Sequence, residues 1–545
     1  MNRRLSHRLS ALTGVLALLA ALVVLVALLP RINGMPSVSA SYRPGYQDEA
    51  EYNASTENVA HDVYVPFVNS DPAWRWRTTV TVQNTSAIST AVNLSYFRAS
   101  GALIFTDVQP LAPMGGHTFT TPDQFSGSLL VTSTQAVSVV ALDVPIDPDR
   151  VGDGLMSYQG MASNSVGTSL VLSPIYRQHG GWSSQFALHN PSDARATANL
   201  LFYDAAGTLV YSQTTQVPAY ATVLSDAASL PGLGADYQGL LVADAAGALL
   251  VGAVKSQNGL TGGAVAQSSR SLQNGLTGRA VGQSRHSSHP RFPAYRAQLP
   301  HLDASPPSTI LLTNSSDLPG DFQIEYYDQQ GGVWYSTGFI EAHTQQSISL
   351  GGEGAPVPPD FEGSAVVEST APLVAGETLW ESEPATFTGY EAGSQASRAA
   401  FVPFVRKDAD DTTTMISVQN AGDKSVDVWV MYYNEDGSEA GEESDTVLPF
   451  ASAVFDQASG GLPAPFRGSA KVTATGNVSV VAMISHRQLD VPTLFLPFIV
   501  LAYPPDPYSG MLYIPAGEFW MGCDESNPGL GGGGLGFRCA VSPGE

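Results

Sequence analysis

The sequence predicts an all-β protein made of four tandem β-sandwich repeats of the immunoglobulin-like kind. The first observation behind this prediction is a motif that occurs four times, in which a glycine follows an asparagine at one constant spacing (101−84 = 17 in the first copy). The second is a period-two alternation of apolar and polar residues around the motif, which indicates half-buried strands. The third is a content of 53 glycines and 37 prolines without long amphipathic helical patterns. The four pairs are Asn84 and Gly101, Asn190 and Gly207, Asn314 and Gly331, and Asn420 and Gly437.

Each copy of the motif predicts the same local structure. The asparagine ends one strand, because its side chain mimics a backbone turn and tolerates positive φ. A second strand then ends in an aromatic pair, such as Tyr432 and Tyr433, before an Asp/Asn-x-x-Gly hairpin turn. Adjacent residues of a strand face opposite sides, so we expect one aromatic ring in the core and the other covering the outer face. A Phe/Tyr-x-Gly sequence and two apolar strands complete the unit.

The spacing of the motifs predicts four domains. The differences between successive asparagine numbers are 190−84 = 106, 314−190 = 124 and 420−314 = 106. The longer interval contains a duplication, in which residues 257–262 recur at 273–278, and 124−16 leaves 108. We expect the duplicate to be a flexible linker, and we expect separate domains along the chain rather than a continuous superhelix. The predicted repeats are 61–166, 167–256, 293–398 and 399–491, with the duplicated linker at 257–292 and a further segment at 492–545.

The N-terminus predicts export from the cytoplasm. Arg3, Arg4 and Arg8 precede an apolar run at residues 11–29, whose nineteen residues give a helix of about 28 Å, close to the thickness of a bilayer core. A basic flank favours a signal anchor at residues 1–31 with a cytoplasmic N-terminus, a single membrane span through residues 11–29 and an extracellular remainder. A cleaved signal peptide, with a small-residue site at Val38-Ser39-Ala40, is the alternative and gives a secreted protein. Residues 32–60 lack periodicity and predict a tether.

The net charge indicates which classes of partner this protein does not bind. The chain carries −24, and without the four N-terminal arginines the exported part has 21 positive and 49 negative residues, a net of −28. Such a surface repels nucleic acid and anionic membranes. The sequence therefore predicts no nucleic-acid partner and leaves a surface polysaccharide or a protein as the ligand.

No pattern in the sequence predicts a catalytic centre, a metal site or a cofactor site. Nucleophile-elbow, phosphate-loop and paired-histidine motifs are absent. The acidic residues near the fourth repeat lack the spacing of a calcium loop, so a solvated acidic surface is the preferred interpretation and a calcium site the alternative. Five tryptophans suit either packing or sugar stacking. The acidic residues are Asp408, Asp410, Asp411, Glu435 and Asp436, and the tryptophans are Trp74, Trp76, Trp182, Trp334 and Trp429.

The C-terminal sequence differs in character from the repeats. The run Met-Leu-Tyr-Ile-Pro-Ala-Gly-Glu-Phe-Trp-Met-Gly-Cys at residues 511–523 resembles the opening of the formylglycine-generating enzyme family (sulfatase-modifying factor domains). The resemblance implies relatives that oxidise a substrate cysteine, bind iron for sulfoxide chemistry, or keep only the fold. The catalytic cysteines of that family lie near the far end of its domain, and no position here matches them. Cys523 and Cys539 are the only cysteines; a disulfide between them and a redox-active pair are the two interpretations.

Residues 61–490 resemble the tandem extracellular sandwich repeats of large surface proteins of environmental bacteria. The shared features are the Pro-Phe strand starts, such as Pro66-Phe67 and Pro403-Phe404, the Gln-Asn turns and the Tyr-Tyr-Asp-x-x-Gly hairpins. The resemblance implies a non-enzymatic stalk, adhesion or display protein. The alternatives are the front part of an exported formylglycine-generating-type enzyme and a carbohydrate-binding surface protein.

Overall fold

A computed structural model of the chain describes residues 46–54, 59–71, 76–146, 155–163, 166–258, 264–268, 270–271, 295–380, 387–392 and 396–487. Apart from one turn of 3-10 helix at Ala227–Ser229, every regular element within these ranges is a β-strand. No helix among the described residues has the length and apolar character needed to cross a membrane. The predicted anchor at residues 1–31 and the C-terminal segment at 492–545 lie outside these ranges.

The strands fall into four modules. Module 1 contains β2 (Ala60–Asn69), β3 (Trp76–Asn84), β4 (Thr90–Arg98), β5 (Leu103–Leu111), β6 (Gly116–Thr120), β7 (Ser126–Pro145), β8 (Met156–Gln159) and β9 (Met161–Ala162). Module 2 contains β10 (Ser169–His179), β11 (Trp182–His189), β12 (Ala196–Asp204), β13 (Leu209–Val217), β14 (Thr222–Asp226), β15 (Tyr237–Asp244), β16 (Val251–Asn258), β17 (Ala264–Ser268) and β18 (Arg270–Ser271).

Modules 3 and 4 repeat this order. Module 3 contains β19 (Tyr295–Asp303), β20 (Ser308–Asn314), β21 (Gly320–Asp328), β22 (Val333–Ile340), β23 (Gln345–Ser349), β24 (Glu362–Ser369), β25 (Leu373–Trp380) and β26 (Phe387–Glu391). Module 4 contains β27 (Ser397–Lys407), β28 (Thr412–Asn420), β29 (Val426–Asn434), β30 (Glu439–Val447), β31 (Ser452–Asp456) and β32 (Phe466–Arg487), together with the N-terminal strand β1 (Tyr46–Asn53).

Each module is a sandwich of two antiparallel sheets. In module 3 the sheets have the orders β19-β24-β21-β22 and β23-β20-β25-β26. We letter the strand positions A to H in the sequence order of module 3. In this lettering the two sheets of every module have the orders A-F-C-D and E-B-G-H. In modules 1 and 4, positions F and G are the two halves of one long strand, β7 or β32, which passes from one sheet into the other.

The core of each module lies between its two sheets. In module 3, Leu299 and Tyr326 from the A-F-C-D sheet and Ile310 from the E-B-G-H sheet are fully buried in one apolar cluster. Each of the other modules has an equivalent cluster. The predicted all-β fold with repeated sandwiches is therefore confirmed.

The modules are closed into a ring. Val140 and Leu142 of module 1 pack in the apolar cluster of module 4, and Ala187 and Ala253 of module 2 pack in that of module 1. The H strands also contact one another in a cycle, β1 with β8, β8 with β17, β17 with β26 and β26 with β1. The expectation of separate domains along the chain is therefore wrong, because neighbouring sandwiches bury their outer faces against each other.

Two segments expected to be irregular contain strands. Part of the predicted tether forms β1, which pairs with β32 in module 4. Part of the predicted linker belongs to module 2, where Gln257 and Asn258 end β16 and residues 264–268 form β17. Both predictions fail for these residues because a strand that pairs at a sheet edge needs little apolar periodicity of its own.

Candidate functional site: interfaces and outer edges of the ring

The four repeat-defining asparagines are fully buried at the ends of the B strands. The Asn420 amide donates to the carbonyl of Lys424 at 2.7 Å and to that of Leu448 at 3.0 Å, while its Oδ1 accepts from the Gly422 N–H at 2.9 Å. The amide therefore ties the turn after strand B to the turn before strand E. Asn84, Asn190 and Asn314 make the same connections.

The turn held by each asparagine faces the preceding module. A non-glycine residue with positive φ occupies it in every copy, and in three copies its ring contacts the second aromatic residue of the preceding module's pair. The turn residues are Met114, Tyr220, His343 and Phe450, with φ between 55° and 61°. The ring centroid distances are 5.6 Å for Phe97 and Tyr220, 4.0 Å for Tyr203 and His343, and 5.2 Å for Tyr327 and Phe450.

The repeat-defining hairpin glycines lie at the same interfaces. Gly101, Gly207 and Gly437 have positive φ, and a Cβ on each would lie 2.3 to 2.5 Å from a carbonyl oxygen of the next module. For Gly437 that oxygen belongs to Pro113 of module 1, which is the contact that closes the ring. The fourth, Gly331, has positive φ but meets only Leu448 Cδ1 at 3.5 Å. These glycines permit a close approach as well as the turn.

Polar side chains complete the interfaces. The Ser364 hydroxyl donates to the Phe450 carbonyl at 2.8 Å, and the Ser469 hydroxyl donates to the Met114 carbonyl at 3.1 Å. The residue before each repeat asparagine also reaches across, since Gln419 donates to Ala365 at 3.0 Å and Gln83 donates to Ala470 at 3.3 Å. The motif residues therefore build the ring, a role that sequence reasoning missed because it needs a partner in another repeat.

The interface between modules 1 and 2 holds a buried ion pair. Lys255 Nζ lies 2.7 Å from Asp143 Oδ2, and both side chains are more than 90% buried. The ammonium group also lies 4.1 Å from the centroid of the Phe67 ring. Burial lowers the pKa of Lys255, and the attraction to Asp143 acts against that change. The pair borders a cavity of about 70 Å³ that Trp76 and Asp226 help to line, which has room for about two water molecules.

The same interface contains a buried histidine. His189 occupies the position of Gln83 and Gln419, and its Nδ1 lies 3.0 Å from the Ser128 hydroxyl of module 1 and 3.2 Å from the Thr222 hydroxyl. Burial lowers the pKa of His189 to about 4. The imidazole of His189 is therefore neutral at pH 7.

The D strands form the outer edge of every A-F-C-D sheet, and their chemistry differs from module to module. Strand β5 exposes four apolar side chains, β13 exposes two and β22 exposes three, whereas the exposed side chains of β30 include carboxylates. The apolar residues are Leu103, Ile104, Phe105, Val108, Leu209, Val210, Val333, Tyr335 and Phe339, and the acidic ones are Glu439, Glu442 and Asp445.

The other candidate residues are dispersed. Trp76 and Trp182 are buried, Trp334 packs edge-on against Phe361 at 5.6 Å, and Trp429 is 37% exposed. Asp410 pairs with Arg467. Within the described ranges no three His, Cys, Asp or Glu side chains gather as a metal ion would require. Trp74, Cys523, Cys539 and residues 511–523 lie outside the described residues.

No protein-family model and no curated protein matches the sequence. The structure is similar to the crystal structure of a tetra-tandem repeat in the extending region of a large adhesion protein, with 12% identity, 81% of this chain and 99% of that chain covered, and a TM-score of 0.11. It is also similar to a glycoside hydrolase of family 32 from Bifidobacterium adolescentis, with 9% identity, 78% and 100% coverage, and a TM-score of 0.15. At these TM-scores neither similarity indicates a function for this chain.

Proposed function

We propose that this chain is an exported, non-enzymatic scaffold that displays binding edges for adhesion at the cell surface. One observation carries the proposal. The residues that join the modules recur around the ring, while the exposed D strands differ between modules. This combination is the arrangement expected of a binding platform. The recurring interfaces hold the modules in a defined arrangement, and the differing D strands determine which ligand each module binds.

The D strands have the properties of binding edges. An edge strand presents unpaired backbone donors and acceptors, and exposed apolar side chains beside them favour contact with another surface. Leu103 and Val108 of β5 are 55% and 59% exposed. A protein or a surface polysaccharide is the class of ligand that suits such edges.

Location and charge support the same function. With residues 11–29 as an anchor, the first strand of the ring begins at Tyr46, only a short stretch of chain after Arg31, so the ring lies just outside the membrane. A cleaved leader instead gives a secreted ring. The net charge of −28 outside the anchor keeps the ring away from nucleic acid and anionic lipid.

The adhesive role is tested with cells that display the full chain. The double variant Leu103→Ser/Val108→Ser is expected to reduce the binding of these cells to alkyl-coated beads by about tenfold, because two exposed apolar side chains are lost. The matched control is Glu442→Ser/Asp445→Ser on β30, which removes exposed carboxylates from the same edge of module 4. Equal binding by wild type and the β5 variant, at equal surface expression, contradicts the proposal.

A further inference from the structure

Module 4 obtains its H strand from the opposite end of the chain. In the other modules the H strand follows the G strand in sequence, as β8 follows β7, β17 follows β16 and β26 follows β25. In module 4 the H position is filled by β1, which pairs antiparallel with β32 from Tyr46 opposite Arg487 to Asn53 opposite Val481. The ring is therefore fastened by pairing between the first and the last described strands.

The sequence of module 4 lacks the segment that holds an H strand elsewhere. The distance from the repeat asparagine to the next A-strand proline is 174−84 = 90 in module 1 and 403−314 = 89 in module 3. In module 2 it is 300−190 = 110, and without the duplicated segment it is 110−16 = 94. After module 4 the next sequence that resembles Val402-Pro403-Phe404 contains Pro497, and 497−420 is only 77. The interval after module 4 is therefore shorter than those of modules 1 and 3 by 90−77 = 13 and 89−77 = 12 residues. This difference is close to the number of residues from the end of β25 to the end of β26 in module 3, which is 391−380 = 11.

The N-terminal segment makes the contacts of a native H strand. Tyr52 is 2% exposed, its hydroxyl donates to the Phe404 carbonyl at 2.8 Å, and the same hydroxyl accepts from the Phe404 N–H at 3.2 Å. The N–H of Ala54 donates to the Val480 carbonyl at 2.9 Å. In module 1 the H-strand residue Tyr158 donates to the Phe67 carbonyl at 2.6 Å. Tyr52 thus anchors β1 as Tyr158 anchors β8.

We propose that the edge of β32 that β1 covers is an acceptor site for residues 46–54 as a separable strand, and that a second copy of this chain supplies this strand when the chain's own β1 is withdrawn. Withdrawal leaves the β32 edge with unpaired backbone groups and an empty place for Tyr52 in the apolar cluster, which is the condition for strand addition. Only one strand position is exchanged, and the contacts of Ser364 with Phe450 and of Gly437 with Pro113, which join module 4 to its neighbours, do not involve that strand. Two copies that exchange β1 form a strand-swapped dimer.

The acceptor site is tested with the full chain lacking residues 46–54. A fluorescent peptide of residues 44–56 is expected to bind this variant saturably, at concentrations on the order of 10 µM, and to raise its unfolding temperature by about 5 °C. The matched control is the same peptide with Tyr52→Ala, which we expect to bind at least about tenfold more weakly. If the deletion variant does not fold alone, it is refolded with the peptide, and rescue is expected only with the native peptide. Failure to bind or to rescue overturns the proposal.

Exchange between intact copies is tested by cross-linking. Glu49 and Ser485 are register partners across β1 and β32. In a Cys523→Ser/Cys539→Ser background, chains with Glu49→Cys are mixed with chains with Ser485→Cys and oxidised after cycles of partial unfolding. A disulfide-linked dimer of the two chains is expected. A mixture of Glu49→Cys with Glu442→Cys is the control, and equal dimer yields in both mixtures overturn exchange between copies.

Discussion

His189 shows how one residue sets the pH response of an interface. Modules 1 and 4 have glutamine at this position, which donates a hydrogen bond to the neighbouring module. Module 2 has a histidine whose pKa is lowered to about 4 by burial, compared with about 6.5 in an unfolded chain. Between these two values the unfolded chain binds more protons than the folded chain. Stability is therefore lost as the pH falls through this window.

The substitution His189→Gln is expected to remove that acid sensitivity. Between pH 7.5 and pH 4.5, the wild type is expected to lose about 2 kcal/mol of unfolding free energy through this group. The loss of unfolding free energy of the variant over the same pH range is expected to be smaller by about 2 kcal/mol, because glutamine does not titrate. Urea denaturation at both pH values measures the difference. His61→Gln is the control, since His61 is exposed. A variant whose pH dependence equals that of wild type contradicts this account.

The aromatic pairs show what a residue-level pattern does and does not reveal. Alternation along a strand correctly predicts that the two rings face opposite sides, and Tyr432 is fully buried while Tyr433 is half-buried. The pattern does not reveal that the outer face of this strand packs against the next module. Tyr203 stacks on His343 of the next module, and only the packing of modules brings these two residues together.

At the scale of elements, the CD hairpins connect each module to the next. Gly331 and Gly437 occupy the same turn with φ of 90° and 82°, so both carry the same backbone requirement. They differ in their surroundings. A Cβ at Gly437 would meet a backbone oxygen at 2.3 Å, whereas a Cβ at Gly331 would meet the end of a leucine side chain at 3.5 Å.

Alanine substitutions at these two positions therefore allow the free-energy cost of backbone strain in the turn to be measured separately from the cost of a clash at the interface. Gly331→Ala is expected to destabilise the protein by about 1 kcal/mol through backbone strain alone. Gly437→Ala is expected to cost about 3 kcal/mol, because the ring contact with module 1 must also shift. Denaturant unfolding of both variants measures the two costs. Equal losses would mean that the hairpin of module 4 does not pack against module 1.

At the scale of the whole molecule, the ring places its first and last described residues side by side. Tyr46 and Arg487 are paired across β1 and β32, and all four modules belong to one compact unit that extends to Arg487. A linker between these two residues recreates the order of module 3, in which the short segment 381–386 separates β25 from β26.

A circular permutant is therefore expected to fold. Its chain joins Arg487 to Tyr46 through a short Gly-Ser linker, as long as segment 381–386, and is opened between residues 271 and 295. We expect a melting temperature within about 5 °C of the linear chain 46–487, because every strand keeps its partners. Circular dichroism and thermal unfolding provide the measurement. A permutant opened inside β28, between Ile416 and Ser417, is the control and is expected not to fold. Failure of both permutants contradicts ring closure by β1.

Much of the module was predictable because its determinants are local. Asn84 and Gly101 favour turns through their own side-chain and backbone properties, and strand periodicity depends on neighbours two residues apart. The tether prediction failed because β1 is defined by its partner rather than by its own pattern. Likewise, the ion pair of Lys255 with Asp143 joins residues 255−143 = 112 positions apart, and neither residue has a local signature that identifies the other.

The sequence alone determined that this protein repeats one sandwich module four times, because the Asn-to-Gly spacing of 17 and the strand alternation are written in each copy. Only the tertiary structure decided that the modules form a ring and that the N-terminal strand closes it. The physical reason is distance along the chain, since the closing pair joins residues 487−46 = 441 positions apart. Such a contact depends on backbone hydrogen bonds, which every sequence offers, and on the place that module 4 leaves for one more strand.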